Sequence, residues 1–543
     1  MGFSMNGSTG TSLVAALTLT LAGTIAPAQD LRSPLEEHVG RQGTFETGNQ
    51  IHKNGWRMWT GAIQTNPEVA TAGTGNQIYM GGMDFGVTPR TQLGFSIGYH
   101  RDPTINPVAG ASPDVLMSSY ALQGKYRFYE DASWSVHAAA SLEYFSYESA
   151  IFGSGGGSDA DHVIGSLHLP ISYNAGNDLR FHLTPGIAVF TDNMNGNDFF
   201  GTIPMLGVGA SWKPHRRWLT YGSVNMPFGE NGNTVTSAGT LTNKPIWTLG
   251  AAFNVTPKTT LDLFVTNGMG GTPATSIIGM LPDADTTMIG ATVTYTPGRS
   301  ERYRPNYRGT PAEPLSRRQE ALQHDGYTLT SADTLTPGAV LGSLGFGTDG
   351  GYSGAVQFSP DYDGQMEFAY DQVADDGSVA TPSQIPSLSG RYMFGVKLRF
   401  LDQNNGSPVS LSGRALIGRD TSASLNGVLY LGMPVMWKAN DRLALTANPK
   451  FAAFGSERKF GVGLGVNYEL ANGLQAIAEV TPVNDGDPLV WAAGVRYRVP
   501  GSRLDLDLSA TNAIGRYGIG TMVAQDDARV ALTATYRFDA RRR

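Results

Sequence analysis

The chain has 543 residues, of which 69 are glycine and none is cysteine, and only 16% are charged against about a quarter in soluble domains. Glycine is tolerated poorly inside helices but is common in strands that bend or pack closely, so the composition favours a β-rich fold. The net charge of −7 argues against nucleic acid as a partner, and the lack of cysteine excludes disulfides.

The first 28 residues have the layout of a secretory signal. An apolar stretch, Ser12–Ile25, is followed by Ala26-Pro27-Ala28, which fits the small-x-small pattern of a cleavage site. We therefore expect residues 1–28 to direct export and to be removed by cleavage near Ala28. Residues 29–54 then form a segment ahead of the first strand.

Residues 55–297 form a first series of about twelve amphipathic strands. The links between the strands alternate in length: tight ones such as Val87–Thr91 are followed by long, polar ones such as Arg101–Asp114. Tight turns at one end and long loops at the other are typical of an up-and-down barrel, whereas Greek-key sandwiches scatter their long links. The sequence therefore predicts an antiparallel up-and-down β-barrel.

Two histidines of this first series are expected inside the barrel. His168 and His182 fall on adjacent strands joined by Asn174–Asp178, and pairing of Tyr173 with Leu179 would turn both to the lumen. Two imidazoles suit a metal, but the second half of the chain has Tyr430 where His168 stands. The favoured interpretation is ordinary lumen polarity, and no metal or other cofactor is predicted.

Residues 298–337 lose the alternation and become rich in Pro and Arg. Their length predicts a linker between two closed barrels of about twelve strands each. The alternative is one barrel of about 24 strands, with this stretch hanging below it or folded into its lumen. A solvated linker is the default interpretation of its arginines, and contact with lipid headgroups or an anionic polymer is the other. These arginines are Arg299, Arg302, Arg304, Arg308, Arg317 and Arg318.

Residues 338–538 repeat the first series. Ser424–Phe454 resembles His162–Phe190, and Val490–Gly515 resembles Ile246–Gly270. A duplication of amphipathic strands is typical of closed sheets and seldom carries a single active site. Gly94–Gly98 fits the G-x-S-x-G spacing of a hydrolase, but it lies within an uninterrupted strand, so no catalysis is expected there.

Charged residues of the second half alternate with apolar ones and are therefore expected to line its lumen. They are Lys397, Arg399, Arg496, Arg498, Asp505 and Asp507. A two-residue turn at Gly501-Ser502 would place Arg498 opposite Asp505 and Arg496 opposite Asp507. A stabilising ladder of opposed charges is one interpretation, and a charged wall that sets ion preference is the other.

The last strand carries a family resemblance. Val530–Phe538 alternates, contains Tyr536 and ends on Phe538, which resembles the aromatic-rich closing strand of bacterial outer-membrane β-barrels; residues 539–543 depart from that pattern as a basic tail. The resemblance implies an all-β transmembrane barrel in the outer membrane, in contact with its lipid, with residues 29–54 and the linker on the periplasmic side. It implies no substrate.

We therefore expect a porin-like channel for solutes and not an enzyme. Small solutes and an anionic polysaccharide are the candidate cargoes. Two alternatives stay open: a component of exopolysaccharide or other polymer export, and a structural or surface-interaction barrel without transport. A filled lumen would favour the structural alternative, because a channel keeps fixed charges around open water.

Overall fold

The computed structural model describes residues 41–43, 45–65, 75–153, 161–176, 178–297, 315–373, 390–421, 427–455, 457–484 and 488–539. Almost all of the regular structure is β-strand. Within these ranges the α-helix is α1 (Arg317–Ala321), and short 3-10 helices cover Ala150–Phe152, Thr275–Ile277, Gln403–Asn405 and Gly518–Met522. No helix of the described part is long and apolar enough to cross a membrane.

The first half forms a closed barrel of twelve strands. Its described strands are β1 (Arg41–Gln42), β2 (Phe45–Glu46), β3 (Trp56–Thr65), β4 (Gln77–Gly86), β5 (Thr91–Pro103), β6 (Asp114–Glu130), β7 (Trp134–Glu148), β8 (Asp161–His168), β9 (Ile171–Asn174), β10 (Leu179–Val189), β11 (Asn193–Met194), β12 (Asn197–Asp198), β13 (Thr202–His215), β14 (Trp218–Pro227), β15 (Thr234–Val235), β16 (Leu241–Thr242), β17 (Ile246–Asn254), β18 (Thr259–Thr266) and β19 (Met288–Tyr295). The wall runs in chain order from β3 to β19, and β19 pairs with β3 to close it. The two-residue strands form small hairpins apart from the wall.

The second half forms another closed barrel of twelve strands. Its strands are β20 (Ala339–Gly347), β21 (Tyr352–Asp361), β22 (Gly364–Gln372), β23 (Gly390–Leu401), β24 (Ser410–Asp420), β25 (Gly427–Gly432), β26 (Val435–Lys438), β27 (Leu443–Phe454), β28 (Glu457–Ala471), β29 (Leu474–Thr481), β30 (Val490–Arg498), β31 (Leu504–Ala513) and β32 (Ala524–Asp539). Strand β32 pairs with β20 and closes this sheet on itself. The prediction of two tandem barrels is confirmed, and the alternative of one 24-strand barrel is wrong.

The duplication is visible as a break at the same place in both walls. One strand of each barrel is split in two, at Pro170 between β8 and β9 and at Pro434 between β25 and β26. Proline has no N–H to give to a ladder, so the pairing is interrupted there. In both barrels a proline of the next strand, Pro185 or Pro449, accepts a backbone hydrogen bond at the break, at 2.8 and 2.9 Å respectively.

The two faces of each wall differ in chemistry. Large apolar side chains on the outer face are exposed: Val163 is 71% exposed and Leu122 is 69% exposed. Of the outer positions in the last strands, Leu508, Leu532 and Tyr536 are exposed as well. Polar and charged side chains occupy the inner face and are buried. An apolar outside around a polar inside is the pattern of a barrel that spans a membrane.

The two barrels touch along part of their outer faces. Leu398 of the second barrel packs against Val255 and Val293 of the first. Towards the loop ends, Arg419 forms a bidentate pair with Asp102, with N–O distances of 2.5 and 2.8 Å. Here the outward side chains meet the other barrel instead of lipid, so the halves form one packed unit.

Each barrel takes into its lumen the segment that precedes its first strand. We call residues 41–43 and 45–55 the first plug and residues 315–337 the second plug. Both stretches are predicted to lie on the periplasmic side, but their described residues bind inward-facing side chains of the barrel that follows them. Alternation did not place them, because neither has the period of two that marks a strand.

Candidate functional site

The second plug enters its barrel from the end with the tight turns. Its helix α1 begins after Ser316 in a capping box: Ser316 Oγ accepts from Gln319 N, and Gln319 Oε1 accepts from Ser316 N at 2.8 Å. The N–H of Leu322 then ends the helix by donating to the Arg318 carbonyl at 3.1 Å. The chain beyond the helix, from His324 to Ser331, runs through the lumen.

Asp325 is the acidic centre of the second plug. Its carboxylate lies 3.7 Å from Lys397 Nζ and 3.5 Å from Arg414 Nη2. It also accepts hydrogen bonds from the Ser331 backbone N–H and from Gln357 Nε2, both at 3.0 Å. Burial would raise the pKa of Asp325, but the charges of Lys397 and Arg414 lower it to about 2. The group is therefore an anion at any physiological pH.

The wall around Asp325 is charged and buried. Arg414 donates to Glu367 at 2.7 Å through Nε, and its Nη1 donates to Thr330 of the plug at 2.7 Å. Lys397 has no exposed surface and donates to the Ser331 carbonyl at 3.4 Å. Both side chains thus connect the wall to the plug.

Two arginine–aspartate pairs lie beside this centre in the register that the sequence predicts. Arg496 pairs with Asp507 and Arg498 with Asp505 across β30 and β31. Arg496 is bidentate, with N–O distances of 2.7 and 3.0 Å, and its Nη2 also donates to the Asp325 carbonyl at 2.7 Å. Nearer the turns, Arg498 is bidentate to Asp505. The opposed charges hold the wall together, and Arg496 also binds the plug.

A second group of contacts fixes the plug backbone. Glu479 of the wall accepts from the N–H groups of Tyr327, Thr328 and Leu329, at 3.1, 2.6 and 3.2 Å. Lys450 donates to the Thr328 carbonyl at 2.9 Å. Polar groups of the plug therefore meet complementary groups of the wall over several residues.

Small cavities remain between plug and wall. One of about 20 Å³ is lined by Asp325, Arg414 and Arg496, and one of about 40 Å³ is lined by Glu479 and Leu329. Each has space for one or a few water molecules and is lined by groups that hydrogen-bond to water. The plug thus sits in a polar, partly hydrated setting.

The loop between the last two strands closes the other end of this lumen. Asp371 accepts from the Tyr517 N–H at 2.8 Å and from the Arg516 N–H at 3.1 Å. Apolar residues of the loop, such as Ile519 and Met522, join a buried cluster with wall residues such as Leu416. The second lumen is therefore filled from both ends.

The first barrel is filled in the same two places. Lys125 of its wall lies 2.9 Å from Glu46 of the first plug and donates to the carbonyls of Thr47 and Asn49. Burial opposes the ionisation of Glu46, but Arg41 and Lys125 lower its pKa to about 2. The Gly48 N–H donates to Ser172 Oγ at 2.9 Å. A wall cation thus holds a plug carboxylate in both barrels.

The loop end of the first barrel is mostly apolar. Glu143 accepts from the Ala274 N–H at 2.6 Å and from Thr272 Oγ1 at 2.5 Å, which draws the loop between β18 and β19 inward. Around it lies a large buried cluster with stacked and edge-on rings, in which Phe199 and Phe200 have centroids 4.5 Å apart. This cluster fills the lumen with side chains that water does not solvate well.

The remaining predicted site residues do not join the charged centre. His182 on β10 contacts Ser172 and Ser211, at 2.7 and 3.1 Å. His168 on β8 pairs with Gly186, which lies four residues beyond His182 on β10. That offset is about 13 Å along a strand. No group of three or more metal-ligating side chains occurs among the described residues. Arg399 binds Asp363 near a tight turn, at 2.9 Å.

Two of the six linker arginines lie within the described residues, and their surroundings differ. Arg318 donates to Asn467 Oδ1 at 2.7 Å and to the Arg442 carbonyl at 2.9 Å, so it binds the barrel rim. Arg317 is exposed at its side chain. Arg299, Arg302, Arg304 and Arg308 lie outside the described residues, and the predicted contact with lipid or polymer remains a prediction.

Sequence reasoning missed most of the centre. Asp325 belonged to a stretch without a period, and Arg414, Glu367 and Glu479 were not singled out. A signal existed for the wall residues, because each is a charged residue at an inner position of an alternating strand. Nothing local marked Asp325, since its partners come from strands far along the chain.

Comparison with known proteins finds only distant structural similarity. No protein-family model matches the chain, and no curated protein matches it. Among solved structures, the NanC porin is 8% identical over 44% of this chain and 98% of that one, with a TM-score of 0.29. The siderophore receptor PirA from Pseudomonas aeruginosa is 10% identical over 90% of this chain and 82% of that one, with a TM-score of 0.26.

A third similar structure is outer membrane phospholipase A from Escherichia coli, 14% identical over 45% of this chain and 92% of that one, with a TM-score of 0.26. The fold of this chain is established by its own strand pairing, which closes two antiparallel barrels of twelve strands each. Similarity this distant does not bear on the solute or the activity, which have to be argued from the lumen.

Proposed function

We propose that this protein is an outer-membrane conduit for small polar solutes, in which the second barrel conducts when its plug moves. One observation carries the proposal: the second plug is held to the wall by charged and hydrogen-bonded contacts beside water-sized cavities. Water and a polar solute offer equivalent partners, so such contacts can be exchanged at modest cost. The protein is proposed to bind and pass solutes without transforming them.

In this proposal the first barrel has a structural role and does not conduct. Its loop end holds the large apolar cluster around Phe199, and opening it would expose that surface to water. Burial of apolar surface contributes roughly 25 cal/mol per Å², so an opening of this kind is costly. The filled first lumen favours a structural role for that half.

Polymer export is less well supported than passage of small solutes. Both described lumens hold a plug and an inward loop, and a polymer would need both to leave. The proposal therefore keeps the porin-like interpretation for the second barrel and the structural interpretation for the first.

Planar-bilayer recording of the purified full-length protein tests this function. We expect discrete conductance steps, and more frequent ones in the double variant Asp325→Asn/Asp333→Asn, because Asp333 also binds a wall cation, Lys438, at 2.5 Å. Absence of steps in both proteins, with folding shown by faster migration unheated than boiled, would refute a conduit.

A disulfide lock identifies the conducting barrel. A Cβ built on Gly48 of the first plug lies 3.1 Å from Ser172 Cβ on the wall and 3.0 Å from the Ser135 carbonyl. A disulfide needs a Cβ–Cβ spacing of about 3.5–4.5 Å, so a small outward shift of the plug backbone would admit the bond, and the chain has no competing cysteine. We expect oxidised G48C/S172C to conduct like the wild type. Loss of the steps on oxidation and their return on reduction would move the conduit to the first barrel.

A further inference from the structure

The surroundings of Asp325 form a complete receptor for a carboxylate. Four donors converge on its two oxygens: the ammonium of Lys397, the guanidinium of Arg414, the amide of Gln357 and the N–H of Ser331. Three of the four belong to the wall or its strands, and each of those side chains is at least nine-tenths buried. The wall thus supplies three of the four donors, and the plug supplies the fourth donor and the carboxylate.

Lys397 depends on the plug for its partners. Among the described residues, its ammonium has polar contacts with Asp325 and with the Ser331 carbonyl, and both belong to the second plug. A buried ammonium without an anion or an equivalent set of acceptors is strongly unfavourable. When the plug moves away, this position has to be filled by an acceptor from the lumen.

Other cationic side chains of the wall also donate to acceptors of the plug. Lys438 binds Asp333, Lys450 donates to the Thr328 carbonyl, and Arg537 donates to Gln323 Oε1 at 2.8 Å. In each pair the wall supplies the positive donor and the plug supplies the acceptor. At these positions the wall is therefore suited to a solute that carries oxygen acceptors and negative charge, whereas Glu479 and Asp505 of the wall bind donors of the plug.

We propose that the Lys397–Arg414 position is a binding site for the carboxylate of an anionic solute, and that Asp325 occupies this site in the closed barrel as a tethered substitute for that solute. The inference rests on the proposed function, because it names the class of solute that the second barrel admits. A carboxylate that binds there competes with Asp325, so its binding favours the displaced plug.

Glutarate, a small dicarboxylate, is a suitable probe, and the uncharged glutaramide is its matched control. The test compares the full-length wild type with Asp325→Asn, which keeps the shape of the side chain but removes its charge. In bilayers under a KCl gradient we expect Asp325→Asn to prefer chloride. We also expect glutarate, but not glutaramide, to block its current.

A second substitution assigns the block to this site. Adding Lys397→Gln to Asp325→Asn removes the ammonium and should raise the half-blocking concentration of glutarate roughly tenfold or more. Arg317→Gln is the control, because it also removes one positive charge, from an exposed side chain of the same plug. It should leave the glutarate block of Asp325→Asn much less changed than Lys397→Gln does.

The outcomes separate this inference from the proposed function. Conduction with a preference for potassium, or equal block by glutarate and glutaramide, overturns the anion site and leaves the conduit in place. If no folded variant conducts, the conduit is refuted, and calorimetric titration of glutarate into the same variants in detergent decides the site by itself. Equal affinities with and without Lys397 would then overturn it, and the same titrations with Asp325→Ser replace Asp325→Asn if that protein does not fold.

Discussion

The two barrels have the same wall architecture but differ in what fills their lumens. Both have twelve strands, a proline break in the same strand, a plug ahead of the first strand and an inward loop before the last. The first lumen is dominated at its loop end by the apolar cluster around Phe199, whereas charged pairs around Asp325 and Arg496 dominate the middle of the second. The outer face and the turns fix the wall, so the inner positions are free to diverge after duplication.

The largest change is to express the two halves of the chain as separate proteins. Because β19 closes on β3 and β32 closes on β20, neither sheet leaves an unpaired edge when the other half is removed. Residues 29–297 and residues 298–543, expressed separately, should each fold in detergent and migrate faster unheated than boiled. Folding of the whole protein with failure of both halves would show that the barrels depend on each other.

The next largest effect concerns the charged centre of the second barrel. Arg496→Ala leaves Asp507 buried without its main partner and should lower the free energy of unfolding by about 3–5 kcal/mol. Arg503, whose side chain is 53% exposed in its pair with Asp539, is the control, and Arg503→Ala should cost about 0–1 kcal/mol. Urea unfolding in detergent measures both, and equal losses would contradict a buried centre.

A smaller loss of stability is expected from a substitution on the outer face, which is apolar in both barrels. Leu532 is 55% exposed on the membrane side of β32, and Leu532→Arg should cost about 2–4 kcal/mol in lipid bilayers. Leu532→Phe, which keeps the position apolar, should cost much less. If the two substitutions give the same free energy of unfolding, Leu532 does not face lipid.

Substitutions in the plugs should weaken the binding of each plug to its wall by about 1–3 kcal/mol and should affect the two barrels differently. Glu46→Gln in the first plug and Asp325→Asn in the second each remove a carboxylate that a wall cation holds. Both should increase hydrogen exchange of their own plug, but only Asp325→Asn should change conductance. A change in conductance with Glu46→Gln would show that the first barrel conducts as well.

The smallest effect is that of pH. The pKa values of Glu46 and Asp325 are lowered from 4.5 and 3.8 to about 2, so each carboxylate stabilises its plug fully above the ordinary value and loses that effect as the pH falls through about 2. Protection of the first plug, corrected for intrinsic exchange rates, should be constant between about pH 8 and 5 and should fall below about pH 4. The second plug also contains His324, whose pKa burial lowers from 6.5, so its protection should already begin to fall as the pH drops through about 6.5. A decline near neutral pH in the first plug would point to other groups.

Sequence patterns predicted the wall well and the contents poorly. Alternation set Arg498 opposite Asp505 correctly. The predicted two-residue turn at Gly501-Ser502 was wrong, because the Ser502 N–H donates to the Val499 carbonyl at 3.1 Å and makes Pro500 and Gly501 the central residues of the turn. The expected pairing of Tyr173 with Leu179 was wrong, since Tyr173 pairs with Phe181, but a shift of two residues keeps His182 on the inner face. The plugs were missed because their positions depend on partners that only barrel closure brings near.

The place of each plug in the chain constrains how the barrels assemble. The second plug precedes β20, and β20 pairs with β32, the closing strand of this barrel. Neighbouring hairpins form from local contacts, while this final pairing joins the two ends of the half and is the slow, long-range step. The wall therefore curls around a plug tethered to its own first strand. We therefore expect closure and filling of the lumen to be coupled, because a plug bound to the nascent inner face would favour the curvature that brings the two edge strands together.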